Sequence, residues 1–522
     1  MGSIKAALRS MAEAQVDRQR SWRSALTLRI GPGHNWFLGR WRDREKDLHR
    51  EALIGCLAAC VTLTSSALAS SGPVGWLGDG SGAFSAGTVP TGWTSESPGG
   101  WSVKMPAWSN ASPVAIGERI CVTAEPLTVL CVSSKTGKTL WSHDVSYLDT
   151  VGDAERDRVA GERAEAARLA KALRQKERQL NKLKRAMRKA RGSQDAAARS
   201  QALLAEIGPL KEKLDGYAHL RPPEPIDVMG TAPSTPVSDG VYLYALLGNG
   251  VVASFTLDGA LRWAKHLGAP SQRMRGFHKG QTASPLLVDG VLVVALNHLV
   301  GLDPQTGQER WRRSEPYLDF GPPRATTIDG VALVVTPMGE VVRVSDGALL
   351  ASNLGVSVYF VSPITQGRRI YFVGATTDPD LQERTAVAVE LSGPLNDLRV
   401  KELWRTSLAR EKTYATPLLH DGLIYALGIR GSLVVLEAKS GQVVYEQVVP
   451  LGHGDVMPSP VVSGDRLVMM GGSGEVVVAR TGRRYEVIHQ AKLGEARATP
   501  ALVKGRIIVR DLDRLWSLTA PR

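Results

Sequence analysis

The chain has 522 residues, a length that corresponds to about three domains or one large repeat fold. Hydrophobic residues make up 43% and charged residues 22%, which excludes a wholly disordered chain. Four cysteines exclude a disulfide-stapled miniprotein and a multi-zinc array. The net charge of +13 is uneven: +5 falls on residues 1–51, +7 on residues 153–215, and +1 on all the rest. A nearly neutral main body argues against nucleic acid as its ligand.

The N-terminal extension, residues 1–51, is basic. Residues 52–69 follow as ALIGCLAACVTLTSSALA, uncharged and ending in Ala67-Leu68-Ala69. Basic flank, apolar run and small-residue site form a secretory signal pattern. An uncleaved membrane anchor and a lipidated Cys60 are the alternatives. A Gly/Ser-rich lead-in covers residues 70–99.

From residue 100 to 521 one unit recurs. It opens on a small residue and proline, at Pro113, Pro236, Pro285, Pro363, Pro417, Pro460 and Pro500, and turns at a glycine about four residues on. An eighth copy, Ala325–Gly330, is read with Thr327 in place of the proline. Periods of about 40–50 residues indicate a propeller. Within a unit the sequence reads as short strands: Asp289-Gly290 marks one hairpin turn and Asp303 to Gly307 another. The spacing predicts an all-β, eight-bladed β-propeller, with seven blades if one unit is irregular. The last unit lacks a closing strand, and Gly100–Lys104 is positioned to supply it, which leaves no open edge.

Trp141, Trp263 and Trp311 each stand four residues after a turn glycine, and Trp404 ends the fifth unit less regularly. Tyr445 takes the place in the sixth, Ala351 in the fourth, and Glu486 beside Tyr485 in the seventh. Flat rings on outer strands suit wedging between blades, so Trp141, Trp263, Trp311, Trp404 and Tyr445 are assigned structural docking roles.

These segments, above all Asn110–Pro113 through Lys135–Trp141 and Leu302–Trp311, with the lead-in Trp76–Gly82, resemble the tryptophan-docking repeats of the pyrroloquinoline-quinone-like (quinoprotein alcohol dehydrogenase-like) β-propeller repeat family. The resemblance implies the fold. It also names a rival activity, a dehydrogenase using pyrroloquinoline quinone with Ca²⁺, whose cofactor in that family stacks against a vicinal disulfide. This chain has no Cys-Cys pair and no haem-attachment motif.

Residues 153–215 interrupt the repeat with Ala, Arg, Lys, Glu and Leu. Leu169, Leu173, Leu180, Leu183 and Met187, with Lys176 in one seam position, and then Leu203, Ile207, Leu210 and Leu214, follow heptad spacing. An antiparallel α-helical coiled-coil hairpin is expected, with Pro209 bending or restarting its second arm. It is either a solvated spacer or an arm that docks an envelope protein partner or an anionic surface.

Other chemistry is thin. No His pattern suits zinc hydrolysis, so no catalytic, cofactor-binding or metal residue is assigned. Asp378, Asp380 and Glu383 lie in an acidic loop without calcium-loop spacing. His453 and Asp455 flank turn glycines, and Gln272–His278 is a basic loop. Ser112 and Ser284 recur at repeat positions, which favours structure over nucleophilic catalysis. Cys121 and Cys131 are opposed if their hairpin is symmetric, either as a disulfide or as two buried thiols. The expectation is an exported, non-catalytic propeller, periplasmic or extracellular, acting as a protein- or ligand-binding scaffold in the cell envelope. A polysaccharide-binding propeller is the further alternative.

Overall fold

In the computed structural model, eight sheets of four antiparallel strands each stand in one ring. The structure describes residues 72–189, 194–220, 229–270, 283–317, 320–355, 358–375 and 384–521. The expected signal segment, residues 272–278, and the acidic loop at 378–383 lie outside them. Blades one to seven span residues 114–144, 237–266, 286–316, 324–351, 364–408, 418–448 and 461–492. In each, the strands follow one another outward in sequence order. The expectation of eight blades with an inserted helical hairpin is met.

Blade eight closes the ring. Its three inner strands come from the C-terminus, and its outer strand is Gly99–Lys104, which pairs with Arg514–Leu518. Ser102 faces Trp516 and Lys104 faces Arg514 across this seam. Opening the ring therefore requires breaking a full strand pairing.

Burial follows the same logic. The middle strand Val291–Leu296 is buried at every residue, because neighbouring blades cover both of its faces. The outer strand Glu309–Pro316 buries only Trp311 and Arg313. Each seam holds its own core: Tyr244, Leu246 and Val252 of blade two pack with Leu292, Val294 and Val300 of blade three.

The outer-strand tryptophans lie at these seams. Trp141 donates its indole N–H to Leu257 O, Trp263 to Pro304 O, Trp311 to Val344 O and Trp404 to Ala438 O, at 2.7–3.0 Å and always on the next blade. The ring lies on a turn glycine of that blade: a Cβ on Gly307 would come within 2.5 Å of the Trp263 ring. A fifth member, Trp101 of the closing strand, bonds Ser134 O of blade one at 3.0 Å and covers Gly137. Tyr445 packs into the seam of blades six and seven, yet its hydroxyl is buried without a hydrogen-bond partner among the described residues. At the seam of blades seven and eight, Trp93 from the lead-in is wholly buried and meets His489 edge-on at 4.7 Å.

One register differs from the sequence reading. In blade four Ile328 pairs with Val331 and Thr326 with Leu333. In blade three Val288 pairs with Val291 and Leu286 with Val293. Ala325, not Thr327, therefore stands where Pro285 stands, and Arg324 takes the place of Ser284. The turn glycine is first in the two-residue turn of blade one and second in blades three and four. Counting back from it therefore slips the frame.

The insertion is two helices, α1 (Asp153–Lys189) and α2 (Gln194–Asp215). Leu169, Leu180, Ile207 and Leu214 are buried between them. Lys176 leaves the apolar seam by pairing with Glu206 of α2, and Lys211 pairs with Glu177 at 3.0 Å. Pro209 lies inside α2 without ending it. At the root, the Tyr147 ring meets His219 at 4.8 Å and His266 of blade two at 5.1 Å. Among the described residues, no helix is long and apolar enough to cross a membrane.

Candidate functional site

The central channel is closed at one end by the chain's own lead-in. Val74 pairs with Ser238 of blade two, the segment crosses the axis, and Phe84 N–H bonds Val462 O of blade seven at 2.7 Å. Gly505 N–H of blade eight then bonds Ala86 O. Trp76, near the start of this crossing, forms the floor of a cavity of about 320 Å³.

Two rings of repeat positions build the wall. The first is the residue before each opening proline. Ser362 N–H donates to Thr416 Oγ1, Thr416 to Ser459 Oγ, Ser459 to Thr499 Oγ1, Thr499 to Ser112 Oγ, Ser112 to Thr235 Oγ1, and Thr235 to Ser284 Oγ, all at 2.9–3.1 Å. Each hydroxyl thus satisfies a main-chain donor of the adjacent blade at the crowded axis, as buried donors require. This accounts for Ser112 and Ser284 as structural residues.

The chain of hydroxyls breaks at blade four, where Arg324 stands. Its guanidinium lies 5.1 Å from the Trp76 ring centroid, beneath the floor. Burial pushes its pKa down to about 10, with Asp79 opposing that shift, so it remains charged at neutral pH. It braces the lead-in through the aromatic face.

The second ring is the residue three before each proline. Asn110, Pro233, Phe360, Tyr414, Met457 and Arg497 occupy it, and Pro322 occupies it in blade four once Ala325 is taken as the proline equivalent. All of them line the cavity, together with Phe320 and Asp455. Here the side chains vary freely, while the first ring is Ser or Thr in seven blades and Arg324 in blade four. Phe320 stacks on Phe360 at 5.1 Å and 9°, and Tyr414 meets Phe360 edge-on at 5.0 Å. Burial raises the Tyr414 pKa, and the charge of Asp455 adds to it. Arg497 is paired with Glu495 at 2.9 Å.

Of the residues singled out from sequence, Ser112, Ser284 and Asp455 reach this cavity, and His453 is exposed. The docking residues Trp141, Trp263, Trp311, Trp404 and Tyr445 lie at the blade seams. Cys121 and Cys131 are cross-strand partners in blade one, wholly buried and bonded to each other, with Cα atoms 4.1 Å apart. Phe320, Phe360 and Tyr414 were not legible as site residues. For Phe360 and Tyr414 the usable signal was the constant offset of three from the proline, which marks them as equivalent positions; Phe320, five residues before Ala325, has no such signal.

Pyrroloquinoline quinone carries three carboxylates and is held with a divalent cation. The lining does not fit that group. Its cation, Arg497, is already paired, the blade-one disulfide is not at the cavity, and among the described residues no three His, Cys, Asp or Glu side chains cluster to hold a metal.

Residues 296–520 match the family model described as outer membrane protein assembly factor BamB. No curated protein matches the chain. Among solved structures it is similar to BamB from Moraxella catarrhalis, at 10% identity over 80% of this chain and 96% of that one, with a TM-score of 0.48. Quinohemoprotein alcohol dehydrogenase from Comamonas testosteroni matches at 10% identity over 80% and 75%, with a TM-score of 0.47. The computationally designed Ika8 protein matches at 11% over 80% and 98%, with a TM-score of 0.47. The family match covers residues 296–520, fewer than half of the 522 residues, and is a similarity of that part of the ring to the pyrroloquinoline-quinone-like β-propeller repeats.

Proposed function

We propose that the protein is a non-catalytic binding scaffold of the cell envelope, and that the central cavity receives a segment of its protein partner. The observation that carries this reading is the variable ring on a Ser/Thr frame that recurs in seven of the eight blades. Constant Ser/Thr positions hold the blades in register, while Phe320, Phe360, Tyr414 and Met457 offer an apolar and aromatic surface fringed by Asn110, Asp455 and Arg497. A concave, mostly apolar site with a few placed polar groups is suited to seat an aromatic or aliphatic side chain. The match to an assembly-factor family supports a role in protein association, and the signal pattern at 52–69 supports export to the periplasm or beyond. The test adds pyrroloquinoline quinone and Ca²⁺ to the purified protein and follows quinone absorbance and dye reduction. The proposal expects neither a bound spectrum nor turnover; turnover would overturn it.

A further inference from the structure

The hairpin's outer face carries a stripe of charge that nothing in the protein uses. Lys171, Arg174, Arg178, Lys182 and Arg185 are all exposed on α1. Their spacings of 3, 4, 4 and 3 residues keep them within a sector of about 80° and spread them over about 21 Å at 1.5 Å per residue. That sector lies opposite the seam defined by Leu169, Leu173 and Leu180, so α2 does not cover it.

The acids are distributed in the reverse sense. Glu162 pairs with Arg158, Glu165 with Arg168 and Lys213, and Glu177 with Lys211. Beyond Glu177, α1 has no acidic residue up to its end at Lys189. Among the described residues none of the five stripe cations takes part in an ion pair. A spacer helix kept soluble by charge would mix signs around its circumference. Between Lys171 and Arg185 the acid is spent along the seam, and the outward sector carries cations alone.

We propose that this face of α1 docks on an anionic phospholipid bilayer, lying along its headgroups. Charge complementarity to a flat surface is the reason: a straight row of cations on one narrow sector can meet a plane with every member at once. The sector has no exposed apolar residue that would drive insertion, so the contact is electrostatic. The apolar stretch 52–69, which reads as a signal or membrane anchor, gives the chain a reason to be near a bilayer. The hairpin is inserted in an outer-to-inner strand connection, the class of connection that rims the cavity mouth. Docking therefore also sets how that mouth faces the membrane.

The test uses the full chain and sedimentation with vesicles of phosphatidylcholine alone or with about 30 mol% phosphatidylglycerol. The stripe variant carries Lys171→Gln, Arg174→Gln, Arg178→Gln, Lys182→Gln and Arg185→Gln; glutamine keeps helix propensity, and circular dichroism checks the hairpin. A charge-matched control replaces Lys138, Lys401, Lys439, Arg484 and Lys504 on the propeller by Gln. Each basic residue at an anionic surface contributes roughly fivefold in partitioning. The stripe variant should lose at least about 100-fold on anionic vesicles, with no change on neutral ones, and the control should lose far less. Salt at about 0.5 M should erase the wild-type preference. Equal losses in both variants would overturn the proposal. So would a wild type that ignores anionic vesicles yet binds polyglutamate or duplex DNA through the stripe.

Discussion

Replacing Trp311 by Ala tests the wedge between blades three and four. The side chain is 8% exposed, and its ring lies over Gly301 of its own sheet and Gly347 of the next blade. A buried Trp covers about 150–250 Å², which at about 25 cal/mol per Å² gives about 4–6 kcal/mol as an upper bound. The N–H bond to Val344 O adds about 1 kcal/mol. Because the unfolded chain already buries part of that area, a loss of about 3–5 kcal/mol is expected. Trp311→Phe keeps most of the ring and strands the Val344 carbonyl, so it should lose about 1–2 kcal/mol. Urea unfolding followed by fluorescence and by circular dichroism reads both, and coincident transitions license the comparison. If Trp311→Ala unfolds within about 0.5 kcal/mol of wild type, the rings are surface decoration and the wedge reasoning fails.

Three further outcomes follow from other sites. Cys121 and Cys131 should resist alkylation until the protein is both reduced and unfolded, and the double Ala variant should lose about 2–3 kcal/mol, the loop-entropy value for a short closed loop; alkylation of the native, unreduced protein would contradict the bond. Tyr445→Phe removes a buried hydroxyl without a partner, so urea unfolding should show it unchanged or about 1 kcal/mol more stable; a loss above about 1 kcal/mol would mean the hydroxyl is satisfied. Burial holds His266 below its ordinary pKa, with His219 adding to that. The unfolded chain therefore takes up its proton first, so the stability it supplies is complete above about pH 6.5 and falls as the pH drops below that. The melting temperature should fall between about pH 7.5 and about pH 5.5, and His266→Phe should reduce that fall. It would not remove it, because burial lowers His489 in the same way.

The ring was readable because its determinants are local and repeated. A proline, a two-residue turn and a ring four residues past a glycine recur often enough to phase seven units. The closing strand was readable from a deficit, since residues 501–518 supply one strand too few. Blade four was misphased because its proline equivalent is Ala325 and its turn glycine is second in the turn. Trp101 was missed as a docking residue because the strand that carries it is separated from its blade by almost the whole chain. The cavity was the least legible part. Phe360 and Tyr414 converge from separate blades, and their side chains obey no repeat; only their offset from proline does.

The most direct measurement of the binding account is site-specific photo-crosslinking in the intact cell. A benzoylphenylalanine at Tyr414, inside the cavity, is compared with one at Val448, an exposed outer-strand position on the same blade. The account predicts one discrete protein adduct from position 414, lost on adding Phe360→Ala, and none from position 448. Adducts equal at the two positions, or a crosslinked species from 414 that persists without Phe360, would contradict it.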